Sequence, residues 1–320
     1  MRTDTNYFKI FSNKMWFIAL LLTVSMAGCD TDHGYRQPWL DNLIGVATVG
    51  PAGLPGPAGP APNLGTASTY GLIAYDAITD SSPLVPSHIY GDVALTQPGP
   101  GGTIASVTGP GMNNGGVAPL LTSTSVTTSD GVTPGLVNAA DNGNLSALQL
   151  AQLLTDLNAA YLDLFSRAAP AAAPVFPFGV GGGTFPPGAD LSGWVLGPGV
   201  YTTTGTYGLS NTLGPLVLDA GGNTDSVFII RSTAIGPSGL TSTTGSVVLQ
   251  NGAQAKNVFW LLDNATIGAG TFFQGTIVAG HAITLLDFAN VEGRMLAGAL
   301  GAVSGALTVT QTNVITVPLP

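Results

Sequence analysis

The residues able to do acid–base, nucleophilic or metal chemistry are few and scattered. His33, His88 and His281 are the only histidines, and Cys29 is the only cysteine. A lone thiol cannot close an internal disulfide or complete a Cys/His site. Asp219, Asp225, Asp263 and Asp287 each stand near an expected turn, the ordinary place for aspartate. His-Glu-x-x-His, a phosphate-binding loop, Gly-x-Ser-x-Gly and calcium-binding Gly-Gly-x-Gly-x-Asp repeats do not occur. The expectation is a protein that is not an enzyme and takes no cofactor or metal. Two chemistries remain: acylation of Cys29, and the hydroxyl and methyl groups of abundant Thr, Ser and Ala.

Cys29 closes a processing signal. Lys14 precedes the apolar run Met15 to Val24, which is too short to span a bilayer comfortably. Ser25-Met26-Ala27-Gly28-Cys29 resembles a bacterial lipobox, with Met26 in place of the commoner Leu. The resemblance implies cleavage before Cys29, its lipidation, and stable membrane anchoring by several acyl chains. Residues 1–29 are read as the signal and 30–63 as a tether, polar at first and then rich in Pro and Gly. Gly50 to Ala61 makes four collagen-like triplets, too few for a triple helix, so a stiff spacer of about 3.1 Å per residue is expected.

Composition narrows the class of the remainder. Only 8% of the 320 residues are charged, with 45 Gly and 23 Pro, while 45% are hydrophobic, enough to fill a core. The net charge of −9 argues against nucleic acid as a partner. Glu292 is the only glutamate.

The elements that would position these groups are short strands. Phe273-Gln274-Gly275-Thr276-Ile277-Val278-Ala279-Gly280 is answered 18 residues later by Val291-Glu292-Gly293-Arg294-Met295-Leu296-Ala297-Gly298. A period this short makes each repeat one turn of a solenoid, and Val/Ile/Phe runs broken by Gly, Asn and Asp make the turns β. Strands are expected at 70–75, 87–93, 216–219, 226–230, 246–249, 257–262, 276–279, 282–285 and 307–310, with Phe228, Val258, Trp260 and Ile277, or their immediate neighbours, in the core. Residues 96–140 read as loops and short strands that cap an open end. Leu150, Leu153, Leu154, Leu157, Tyr161, Leu164 and Phe165 fall at helical spacing, which predicts one long α-helix near 144–168 with Asn144 as N-cap.

The order of five segments carries a family resemblance. Leu196-x-Pro-Gly-Val-Tyr201, Ser226-Val-Phe-Ile-Ile230, Asn251-Gly-Ala-Gln254, Asn257-Val-Phe-Trp260 and Phe273-x-Gly-Thr-Ile-x-Ala279 resemble the microbial ice-binding family over about 64–317. Lys256 stands where many members have Cys. The resemblance implies a discontinuous all-β solenoid of triangular section, residues 64–320, with the helix packed alongside.

It also implies a site. Strands repeat at about 4.7–4.9 Å, so outward hydroxyls can order water while methyls exclude disordered water. The family often carries Thr-(Ala/Gly)-x-(Thr/Asn) on successive coils. The positions matching it are Thr241, Thr243 and Thr244; then Ala269 and Thr271; then Asp287, Ala289 and Asn290. Ser210-Asn211-Thr212 and Thr79 to Ser82 are further candidates. Thr308, Thr310 and Thr312 alternate and are expected on one side of the last strand. The expected function is binding to an ice crystal surface, with inhibition of ice growth or recrystallisation. The expected form is a monomer, exported and membrane-anchored at the cell surface or outer envelope. The alternative is a cell-surface adhesion or structural module binding glycan or protein.

Overall fold

The computed structural model describes residues 58–81, 87–98, 102–109, 122–127, 134–233, 239–301 and 305–319. The expected signal, Cys29 and most of the expected tether lie outside these residues. The described chain is mostly β, with one long helix. Its strands form three sheets of twelve, seven and four members. Pairings within the sheets are parallel, apart from the antiparallel pair Thr122–Thr127 with Pro134–Asn138.

Parallel strands need a long return path. Here the other two sheets supply it. From Val195 onward the chain visits the four-, twelve- and seven-stranded sheets in turn, through Val195–Leu196, Gly199–Thr203 and Tyr207–Leu209. The next circuit passes through Leu216–Asp219, Phe228–Ser232 and Gly239–Ser242, and the one after through Val247–Gln250, Val258–Leu262 and Asn264–Ile267. Each strand lies on its equivalent one circuit earlier, as Val258 on Phe228 and Trp260 on Ile230. Phe272–Ala279 and Asn290–Leu296 are longer strands paired along almost their whole length. There Gly275 faces Gly293, and a Cβ on Gly293 would fall 1.8 Å from the Gly275 carbonyl oxygen. The repeated glycine is thus set by close backbone stacking.

The N-terminal strands do not begin the stack. Tyr70–Ala74 is inserted between Asn290–Leu296 and Asp92–Leu95, and Ile78–Asp80 between Leu307–Val309 and Val107–Thr108. The start of the folded chain therefore sits on its end.

In the twelve-stranded sheet, strands such as Tyr70–Ala74 and Val258–Leu262 are buried on both faces, so they read as continuous apolar runs. Phe228, Ile230, Val258, Trp260 and Ile277 point into the main core, and the four expected core residues have no exposed surface. Ile229, Phe259, Leu261, Val278 and Leu296 point the other way, beneath the helix α1, Ala147–Ser166. Leu153, Leu157, Ala160 and Leu164 of α1 close that second core. Each fully buried Leu or Phe contributes about 1.5–3 kcal/mol.

The helix is shorter than expected, and its cap is different. Ser146 is the N-cap: its hydroxyl accepts from the Gln149 amide while Gln149 Oε1 accepts from the Ser146 amide. Asn144 is otherwise engaged, donating its amide to the Val137 carbonyl at 2.8 Å. At the far end Arg231 Nη1 donates to the Leu164 and Phe165 carbonyls, which a helix end leaves without partners. Packing begins ahead of the expected start at Leu64. Ala58 is already buried with Leu64 and Ala67 against the helix.

Candidate functional site

One face of the seven-stranded sheet is uncovered, as is one face of the four-stranded sheet, and what sets the seven-stranded sheet apart is the threonine on its open side. Its strands read apolar–Thr–apolar: Ala265-Thr266-Ile267, Ile283-Thr284-Leu285 and Leu307-Thr308-Val309. Strand alternation sends the flanking residues inward and the threonine outward. Pairing then aligns the threonines. Thr241 lies opposite Thr266, Thr266 opposite Thr284, and Thr284 opposite Thr308. Thr308 lies opposite Thr79, and Thr79 opposite Thr108. Six threonines thus form one row across six strands, with five intervals of about 4.8 Å, about 24 Å in length. Gly208 continues the row beyond Thr241.

Uncharged residues flank this row, small or polar apart from Leu286. Two positions before the threonines stand Asn264, Ala282, Ala306, Ala77 and Ser106, all partly exposed. Two positions after them stand Thr243, Gly268, Leu286, Thr310 and Ser81. None of these residues is charged, and Asp190 pairs with Gly208 at the end of the central row. Threonine is β-branched and stiff at χ1, so the row is ordered before anything binds. Thr108 donates its hydroxyl to Thr79 at 3.3 Å. Inward of the row, buried Asp80 accepts from the Ser87 amide.

The residues named from the family pattern divide between sheet and corner. Thr241 belongs to the central row, and Thr243 to the row after it. Both are exposed, as are Thr244, Ala269 and Asn290. The solvent-facing positions expected for Thr271 and Ala289 are corrected: both are buried, at 0% and 1% exposure. They lie where the chain turns from the seven-stranded sheet towards the next sheet, and there alternation no longer sets side-chain direction. Phe288 shows the reason. It has a left-handed φ of 60° and is 60% exposed, and this twist throws Phe288 outward and turns Ala289 in. Asp287 is half-buried in the same turn, accepting from the Thr310 hydroxyl and the Gln311 amide. Thr308 is in the strand, but Thr310 and Thr312 fall in the following turn, Thr312 with φ 46°. The expected alternation thus ends at Val309. Ser210 donates to Asp190 at 2.5 Å and contacts Thr212 at 2.9 Å, so these hydroxyls serve the turn.

Thr266, Thr284 and Thr108 were not among the expected site residues. The signal for Thr266 and Thr284 is the apolar–Thr–apolar triplet itself, which returns at Leu307-Thr308-Val309, while Thr108 lies in Val107-Thr108-Gly109 and lacks it.

The aspartates do not converge. Asp263 pairs with His281 at 2.5 Å, and Asp219 accepts from the Asn251 amide at 2.8 Å. Among the described residues no group of three or more His, Cys, Asp or Glu side chains comes together.

Comparisons with known proteins bear on family and fold. A family model described as Ice-binding-like matches residues 72–314. The chain is similar to the solved structure of an ice-binding protein from the Antarctic ascomycete Antarctomyces psychrotrophicus, with 23% identity and a TM-score of 0.59 over 81% of this chain and 100% of that one. That likeness is one of fold. The ice-binding domain of a Shewanella frigidimarina protein is 27% identical, with a TM-score of 0.58 over 82% of this chain and 99% of that one. An ice-binding protein from an Antarctic biological consortium is 25% identical, with a TM-score of 0.58 over 85% and 97%. A search of curated proteins finds no match.

Proposed function

This chain belongs to the ice-binding-like family, and from that premise we propose that it adsorbs to ice through its seven-stranded sheet and so inhibits ice growth or recrystallisation. The observation that carries the reading is the in-register row Thr241, Thr266, Thr284, Thr308, Thr79 and Thr108. Its hydroxyls hold water at the strand spacing, and its methyls and the flanking alanines leave no site for disordered water. A stiff, uncharged and flat array loses little freedom on contact with a crystal plane.

The winding supports the reading of the fold as a discontinuous β-solenoid of triangular section, since the chain visits three sheets in a fixed order. Its role is adsorption rather than catalysis. The segment ending at Cys29 supports export and lipid anchoring. Contact with extracellular ice then requires display on the cell surface or outer envelope, or release.

Ice-affinity partition of the full chain tests the proposal. Wild type and Gln250→Tyr, which alters an exposed residue of the four-stranded sheet, should enter the ice fraction. Thr266→Tyr and Thr284→Tyr should stay in the liquid, because a projecting ring holds the face off the lattice. Equal partition of all four would move the site to another face. Exclusion of the wild type from ice would remove the function and leave adhesion to glycan or protein to be assayed.

A further inference from the structure

Four charged side chains, Asp156, Asp163, Arg167 and Arg294, act together on the start of the described chain. Arg167 at the end of α1 donates from Nη1 to the carbonyls of Ala58 and Pro60, at 2.7 and 2.5 Å. Its remaining donors are held by Asp163, at 2.6 Å from Nη2. Asp156, also on α1, accepts from both the amide and the hydroxyl of Thr66 at 2.7 Å. Gly65, with φ 52°, allows this approach: a Cβ there would fall 2.4 Å from the Asp156 carboxylate. Arg294, mostly buried, donates from Nε to the Ser68 carbonyl at 2.8 Å. The strand that follows, Tyr70–Ala74, is wholly buried and paired on both sides.

We propose that residues 58–74 form a force-bearing attachment, fastened by Arg167, Asp156 and Arg294 and seated between two strands, so that the domain can be pulled through its N-terminus without unravelling. The fastenings are spaced along the chain. Peeling must break them one after another, each freeing only a few residues, before force reaches the sheets. The strand reached last is interior, so its removal breaks two ladders instead of one. The inference rests on the lipid-anchor reading, because a chain held at Cys29 and adsorbed to ice is pulled in this way. The fastenings are also clear of the threonine sheet: they lie on α1 and the twelve-stranded sheet.

Single-molecule pulling tests it, using the unlipidated full chain held at Cys29, the only thiol, and at a C-terminal tag. Wild type should show no release before the sheets unfold. Asp156→Asn combined with Arg167→Gln should show an early, low-force step from freeing residues 58–69, about 4 nm at the extended length per residue. Should the pair disturb folding, seen by near-ultraviolet circular dichroism, Arg167→Gln alone should give a shorter early step. An early step in wild type, or identical traces in wild type and variants, overturns the proposal. Ice adsorption of unattached variants should equal that of wild type. A wild type that fails to adsorb would sink the ice reading and leave the mechanical result standing.

Discussion

Thr241 and Thr266 face each other across neighbouring parallel strands, with both side chains on the open side of the seven-stranded sheet. Thr271, five residues beyond Thr266, is fully buried. Residue type alone therefore does not define the face. A threonine contributes where strand alternation and inter-strand register agree, and the agreement ends at the corner.

The two halves of the threonine side chain can be separated. Thr284→Val keeps the shape and loses the hydroxyl, while Thr284→Ser keeps the hydroxyl and loses the methyl. Both should reduce ice adsorption measurably, with stability changed by less than about 0.5 kcal/mol because the site is at the surface. Thermal melting and ice partition read the two quantities separately. Unchanged adsorption in the Val variant would show that hydroxyls do not order the bound water.

Thr271 should respond in the opposite sense. Its hydroxyl is buried and has no hydrogen-bond partner among the described residues. Thr271→Val replaces it with a methyl of the same shape and should raise stability by about 1 kcal/mol, without loss of ice adsorption. Thr271→Tyr overfills the same space and should cost about 1–3 kcal/mol. Urea denaturation distinguishes these outcomes.

Trp260 is the largest fully buried side chain, and its indole donates to the Gln274 carbonyl at 3.0 Å. Trp260→Ala should cost about 3–5 kcal/mol through lost packing and the cavity left behind. A loss of unfolding free energy in urea of less than a third of that size would show that the circuits close over the gap.

Acid should weaken two carboxylate contacts, one in the turn at Asp190 and one from Asp156 on α1. Burial pushes Asp190 and Asp156 upward, but hydrogen bonds outweigh it and hold both carboxyls below the ordinary value of 3.8. The donors are Ser210 and Ser192 for Asp190, and Thr66 and Gln152 for Asp156. A depressed folded pKa gives stability that is present above the unfolded value and lost as pH falls through the folded one. The excess stability of wild type over Asp190→Asn and Asp156→Asn should hold at about pH 6 and shrink below about pH 4. A difference independent of pH would mean that these carboxylates act only by shape.

Cys29→Ser should abolish incorporation of labelled fatty acid and move the protein from the membrane to the soluble fraction, since no other thiol is present. Label persisting on that variant would disprove acylation at Cys29.

Much of the fold was legible in the sequence because its signals are local. Apolar runs such as Val258 to Leu262 mark strands buried on both sides, and the spacing from Leu150 to Leu164 marks α1. The Gly275/Gly293 repeat marks strands that stack too closely for a side chain. The absence of any catalytic motif and the cysteine in its small-residue context were likewise plain. The cap at Ser146 was not, because Asn144 is an equally good capping residue until Val137 claims its amide. The threonine row belongs to tertiary structure. Thr79 and Thr308 become neighbours only because the first strands are inserted against the last ones, and turns of unequal length hide the register linking Thr241, Thr266 and Thr284. In the same way, the left-handed backbone at Phe288 decides that Ala289 faces the core. Periodicity fixes which way a side chain points within a strand, but which strands lie side by side depends on contacts between residues far apart in the chain.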